Sequence, residues 1–420
     1  MKFLFCSLDS MGFLCPSVGI AKALIARGHD VAFVTDVKFA KLLTTLDLER
    51  IPRGNTDGGS FQVPQWAKPI SVAIQVKHIE YALDRFDADV LFGQALTLGP
   101  MVVAERRGLP LGLLGFCAYL WPTDNDPPRR GDLTAKRLRW RYGDMMEVLN
   151  TARALFHLPA CHADCRDTPL LGDLFLLRSV PELEPHPERL PEHVHFVGGC
   201  LWELATHDPE LEDWIVEAKK SNASIIYVHH GKFFHISTFW DALVRAVEGL
   251  NVRVAASVGQ MGRPVGSVPD NFLVRPHISQ AAVLRHARLL VAGGNTTAVV
   301  GAMEAGVPSL LIPAGGEQPE VAELAERCGA AKSLLPEEAT MERLRPYVED
   351  LLANPLYSER ATFYQSAFTK LDGFERAADL LEKLAVTKAR VLREPASGGL
   401  QIEMKHRSPA VESSADVLAL

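Results

Sequence analysis

A chain of 420 residues is longer than a single hydrophobic core usually organises, so two domains are expected. With 47% hydrophobic and 23% charged residues the composition is ordinary for a globular protein, and a net charge of −7 argues against a nucleic-acid partner, which needs a positive field. No apolar run reaches the roughly 18 residues of a membrane span, and seven scattered cysteines fit reduced thiols in a cytoplasmic setting.

The opening "MKFLFCSL" reads as a buried strand rather than a signal peptide, because Asp9 cuts the apolar run short. A helix over "PSVGIAKALIARGH" and a strand over "DVAFVTD" follow. The alternation continues through "ADVLFGQ", "GPMVVAERRG" and "LPLGLLGF". Near-continuous apolar strands separated by helices imply βαβ units and a parallel sheet covered on both faces.

From Asp124 to about Leu174 the chain is polar and rich in arginine, as inserted helices would be. That basic face suits an acidic acceptor, a membrane surface or plain solvent. "HLPACHADC" gathers His157, Cys161, His162 and Cys165, but no second pair stands at a zinc-binding spacing, and a helical surface is the simpler reading. "SVPELEPHPERLPEHVHFVGGCLWELATHDPELEDW" breaks the periodicity with proline and charge and reads as the joint between domains.

After it the alternation restarts with strand "ASIIYVHHG", helix "TFWDALVRAVEGL", strands "VRVAASVG" and "FLVRPH", and helix "SQAAVLRHA". Strand "RLLVAGG", helix "TAVVGAMEAG", strand "PSLLIPAGG" and helix "PEVAELAERCG" complete it. The fold class is therefore α/β, with two doubly wound, Rossmann-like parallel-sheet domains facing each other across a cleft. The expected division is residues 1–200 for the first domain, 201–221 for a linker, 222–385 for the second domain with its closing helices, and 386–420 for a disordered tail.

Several stretches carry chemistry. Gly293, Gly294, Asn295, Thr296 and Thr297 form a glycine turn at a helix amino end, where free N–H groups and the dipole favour phosphate. The same residues also make an ordinary helix cap. Glu317 and Gln318 follow a strand end and a Gly–Gly turn, at the cleft mouth or simply as polar caps. "YVHHGKFFH" puts His229, His230, Gly231, Lys232 and His235 at a strand's carboxyl end, where a lysine would meet a diphosphate directly.

Four segments in register resemble the family 1 glycosyltransferases of GT-B fold, bacterial natural-product type, over residues 1 to about 385. "GFLCP" resembles the family's Gly-His-x-x-Pro turn, and "RGHDVAFVT" its second-strand entry. "RPHISQAAVLRHARLLVAGG" resembles the Trp-x-Pro-Gln segment leading to His-Gly-Gly, and "EAGVPSLLIPAGGEQPEVAE" the donor stretch ending in Asp/Glu-Gln. The resemblance implies a nucleotide-diphosphate sugar (UDP or dTDP type) held by the second domain and a small-molecule acceptor held by the first. It implies no cofactor and no metal. Together with the glycine turn and the lysine above, the resemblance implies donor contacts at Gly231, Lys232, His277, Gln280, Gly293, Gly294, Asn295, Thr296, Thr297, Glu317 and Gln318, with Lys232 and His277 standing where the family has other residues.

The departures are equally specific. The family's general-base histidine falls on Phe13 and its orienting aspartate on Gln94, which leaves these two facing the acceptor but without a usable proton acceptor. The phosphate-facing histidine falls on Gly293, the ribose-holding acid on Gly301 and the base-stacking tryptophan on His277. Asp9 and Ser10 are the nearest carboxylate and hydroxyl to the vacant catalytic position. Three readings follow: an active transferase without the usual dyad, a binding or auxiliary homologue, and a sugar-nucleotide epimerase or hydrolase on the same scaffold.

Overall fold

The computed structural model describes residues 1–53, 57–162, 164–204, 207–229, 239–259 and 268–394. In the first half the elements are β1 (Lys2–Cys6), α1 (Met11–Ala26), β2 (Asp30–Val34), α2 (Ala40–Thr45), β3 (Glu49–Arg50), α3 (Pro69–Leu83) and β4 (Val90–Gln94). They continue with α4 (Gly99–Arg107), β5 (Leu111–Leu114), α5 (Leu133–Ala154), β6 (Leu174–Leu177) and β7 (Val194–Phe196). The second half runs α6 (Pro209–Lys220), β8 (Ser224–His229), α7 (Phe239–Val247), β9 (Val252–Ser257), β10 (Phe272–Arg275), α8 (Gln280–Leu284) and β11 (Ala287–Ala292). It ends with α9 (Thr296–Ala305), β12 (Ser309–Leu311), α10 (Gln318–Arg327), β13 (Ala331–Ser333), α11 (Met341–Ala353), α12 (Pro355–Thr369) and α13 (Gly373–Thr387).

Among the described residues two parallel sheets form, ordered β3-β2-β1-β4-β5-β6-β7 and β10-β9-β8-β11-β12-β13. Their central strands are buried on both faces, which explains the unbroken apolar runs that replace alternation. Each sheet reverses its strand order once, between β1 and β4 and between β8 and β11. Ligands of open α/β sheets bind at the carboxyl ends of the strands flanking such a reversal.

Two expected boundaries change. The proposed linker 201–221 is mostly α6. Asp208 caps its amino end by accepting from Leu211 N at 3.0 Å, Pro209 starts it, and Lys219 and Lys220 finish it. Its Leu211, Trp214, Ile215 and Ala218 pack among the residues of the second sheet, so the first crossing between the domains lies around residues 198–204. The last helix returns to the first domain. Ala377, Ala378, Leu381 and Leu384 of α13 share a core with Leu14, Val18 and Leu24 of α1, and Arg27 pairs with Glu375, Asp379 and Glu382.

The tail expected from residue 386 is ordered through Glu394. Val391 is buried, donates through its N to Asp173 O and accepts from His195 Nε2, while Arg393 N donates to Glu192 O. Residues 157–162 are an irregular connection rather than helix, anchored by a two-way bond between Asn150 and Cys161, and Ala163 lies outside the described residues. All seven cysteines are free thiols, and no described helix is long and apolar enough to cross a membrane.

Candidate functional site

Two helix amino ends meet where the sheets reverse. A Cβ placed on Gly12, in the first turn of α1, would stand 3.8 Å from both the Ser10 and the Thr297 hydroxyl oxygens. Thr297 lies in the first turn of α9. Next to it the backbone N–H of Cys117, from the loop after β5, donates to Thr296 Oγ1 at 3.3 Å. Both helices present positive dipole ends to this junction, the electrostatic character of an anion site.

The turn from β11 into α9 requires its glycines. Gly294 has φ +86°, and a Cβ there would sit 3.1 Å from the Gln318 carbonyl oxygen. Asn295 caps α9 by accepting from Ala298 N at 3.0 Å, and its Nδ2 donates to His229 Nδ1 at 3.1 Å. An amide nitrogen can only donate, so that ring nitrogen must be unprotonated. Burial agrees, pushing the His229 pKa down to about 4 and keeping the ring neutral.

The turn after β12 closes over the same place. Gln318 is buried, its Oε1 accepts from Ala314 N at 2.9 Å, and its amide packs against Gly293. Glu317 lies beside it. Burial raises the pKa of its carboxyl, while the backbone N–H groups of Glu317 and Thr296 and the Arg141 guanidinium favour the ionised form. The Glu317 carboxyl, its pKa raised on balance by burial, stands at the amino end of α9, beside the anion-favouring junction. Gly293 through Thr297, Glu317 and Gln318 thus form one contiguous surface.

Other expected residues lie elsewhere. Gln280 is buried, and its Nε2 donates to Thr297 O at 2.9 Å. A Cβ on Gly301 would meet that Nε2 at 2.0 Å, so the glutamine amide fills the space that a side chain at position 301 would take. His277 is exposed on the loop after β10. Gly231 and Lys232, with His230 and His235, lie outside the described residues.

The vacant dyad is filled by structural contacts. Gln94 is buried; its Oε1 accepts from Leu8 N at 3.0 Å, and its Nε2 donates to Ser7 Oγ, Phe13 O and Ser17 Oγ. With its hydrogen-bonding capacity committed, it does not face an acceptor as expected. Phe13 meets Phe116 edge-on at 5.9 Å between ring centroids. Asp9 has both oxygens engaged, Oδ2 with Lys38 Nζ at 2.5 Å and Oδ1 with Val63 N at 2.7 Å, so it anchors the 57–65 loop. Ser10 is the N-cap residue of α1, and its hydroxyl makes no capping bond.

Part of the basic face of α5 docks on α10 and the turn before it. Arg137 Nε and Arg141 Nη2 both pair with the buried carboxylate of Glu320, each at 2.9 Å. Arg137 also reaches Glu323 at 3.3 Å, and Thr134 Oγ1 donates to Glu323 as well. Arg141 Nη2 further donates to Gly316 O at 2.8 Å. Sequence reading missed this junction, although arginines four apart facing glutamates three apart form complementary stripes on two helices.

A separate cavity of about 500 Å³ lies at the opposite end of the first sheet, lined by Met101, Leu111 and Lys388. Its acidic side chains are engaged, Glu105 with Arg153, Asp167 with Arg390, and Asp173 accepting from Leu111 N.

The family model for UDP-glucoronosyl and UDP-glucosyl transferase matches residues 163–368. The UDP-glucosyltransferase YojK of Bacillus subtilis is 23% identical over 88% of this chain and 93% of its own. The oleandomycin glycosyltransferase of Streptomyces antibioticus is 25% identical, covering 90% of this chain and 89% of its own. The chain is a glycosyltransferase of GT-B fold, and its matches lie among the family 1 glycosyltransferases. This glycosyltransferase has the architecture of VinC, solved in complex with dTDP, with a TM-score of 0.66 at 18% identity over 92% of this chain and 100% of that one. Its similarity to the oleandomycin glycosyltransferase matches the bacterial natural-product type.

Proposed function

We propose that this glycosyltransferase moves a sugar from a UDP- or dTDP-type nucleotide sugar onto a small-molecule acceptor whose attacking atom is already acidic. The meeting of the α1 and α9 amino ends at Gly12 and Thr297 carries the donor half of this reading. There the leaving diphosphate would gain charge, and fixed N–H dipoles in a closed junction stabilise such charge better than water does. VinC, of the same fold, binds dTDP, which supports that placement.

In the transfer, the acceptor nucleophile forms a bond to the anomeric carbon while the bond from that carbon to the β-phosphate oxygen breaks. The electron pair leaves with the nucleoside diphosphate. The acceptor proton passes to water, because Phe13 cannot take it and Gln94 and Asp9 are committed to structural bonds. Losing a general base costs roughly 10²–10⁴-fold, which an acidic phenol, enol or heterocyclic N–H tolerates.

A graded series of substituted phenols tests this. The rate of transfer should climb steadily as the acceptor pKa falls towards the assay pH. A rate independent of acceptor pKa would point to a base in the protein and overturn the proposal.

A second reading, a nucleotide-sugar binding or auxiliary protein without turnover, draws on Gln280 filling the space over Gly301. It predicts nucleotide binding with neither transfer nor acceptor-free hydrolysis.

A further inference from the structure

We propose that Arg141 is a positioning residue: from the acceptor-side domain it sets the conformation of the turn at residues 314–318, so domain closure and the grip on the donor sugar are one event. The inference rests on the reading above, in which Glu317 and Gln318 meet the sugar.

Arg141 is distinguished from its neighbours by what it touches. Arg137 pairs only with the side chains of Glu320 and Glu323 and with Thr134 Oγ1, all on the helices being docked. Arg141 alone reaches the backbone of the turn, donating to Gly316 O at 2.8 Å while its other contact holds Glu320 at 2.9 Å. One guanidinium thereby spans the residue before Glu317 and the first turn of α10. Its charge also favours the ionised Glu317 carboxyl. A charge-assisted bond to a backbone carbonyl fixes a peptide plane, and Gly315 and Gly316, with φ of 158° and 66°, have no side chains to fix it otherwise.

The Arg141 Nη1 atom is buried and has no hydrogen-bond partner among the described residues. An orphaned guanidinium N–H is costly, and such groups are seldom left so without a ligand or a water to meet them. In this position it is an available donor next to the carboxylate expected to hold the sugar. When the domains part, Arg141 leaves with α5, and the Gly-Gly turn loses the hydrogen bond it accepts from the other domain.

The test compares Arg141→Ala, Arg141→Lys and Arg137→Ala with the wild type by two measurements. Calorimetry gives the affinity for UDP, dTDP and their glucose conjugates; amide hydrogen exchange reports residues 314–318 against the body of α10. Arg141→Ala should leave nucleoside-diphosphate affinity within about twofold and weaken the sugar's added contribution by about tenfold, a change of about 1.4 kcal/mol. It should also speed exchange at Ala314 and Gln318. Arg141→Lys should recover part of both effects, and Arg137→Ala neither effect. Unchanged exchange of the turn in Arg141→Ala, or equal effects in Arg137→Ala, would overturn the inference and leave Arg141 as helix docking alone. If the wild type binds no nucleotide, the donor reading itself fails, and the exchange measurement still decides whether Arg141 sets the turn.

Discussion

Gln94 donates through Nε2 to the carbonyl oxygen of Phe13 at 3.1 Å. The two positions that would carry a general base and its orienting acid therefore touch, but through a backbone oxygen. The contact pins the start of α1 to the end of β4, and it has no proton to move.

Replacing Gln94 should be a stability change more than a rate change. Gln94→Ala strands the buried Leu8 N–H and empties the space between β4 and α1, at about 2–4 kcal/mol by urea denaturation. Phe13→His alone should alter kcat less than tenfold, because a donating amide cannot steady an imidazolium. A gain above about 100-fold would show that an imidazole at position 13 reaches the acceptor and works without an orienting partner.

Asp9 is held by Lys38 and Val63 N and serves the 57–65 loop. Asp9→Asn should therefore raise the acceptor KM while lowering kcat by less than about tenfold. A loss in the range of about 10²–10⁴ in kcat, with the acidic limb of the pH–rate profile abolished, would instead make it the base.

Burial raises the Glu304 pKa to about 7, against the opposing pull of Arg178 and the Gly199 N–H. The native state thus holds a proton that the unfolded chain releases near the ordinary carboxyl value. Between those two pH values the native state binds more protons, so this group's contribution to stability falls as pH rises towards 7. Glu304→Gln removes that dependence. The variant should gain about 2–3 kcal/mol relative to wild type between pH 4.5 and pH 8 in denaturant midpoints. The buried histidines His193 and His195 titrate with the opposite sign, but they are common to both proteins and cancel.

Gly301 and Gln280 should be energetically coupled. Gly301→Ala drives a Cβ into the Gln280 amide, which can move only by giving up its bond to Thr297 O. Gly301→Ala should destabilise by about 1–3 kcal/mol, and adding Gln280→Ala should recover part of that loss. Strict additivity in the double variant would mean that the amide does not fill that space.

Much of the fold was legible because buried parallel strands leave unbroken apolar runs and helices leave periodic ones. The proline- and charge-rich segment misled at α6, since Asp208, Pro209 and Glu210 carry the same residue types in a helix start as in a linker. The return of α13 was not legible, because an apolar face does not name the sheet it covers. In the site, the glycine turns at 293–294 and 315–316 were readable from residue type. Arg141 was not, because its partners Gly316 and Glu320 stand 175 and 179 residues away along the chain.

Titration of the protein with UDP and dTDP in a calorimeter bears most directly on the donor site. The junction of α1 and α9 predicts saturable binding of at least one of them, one molecule per chain, with a dissociation constant between about 1 μM and 1 mM. Absence of binding by both at millimolar nucleotide would contradict it.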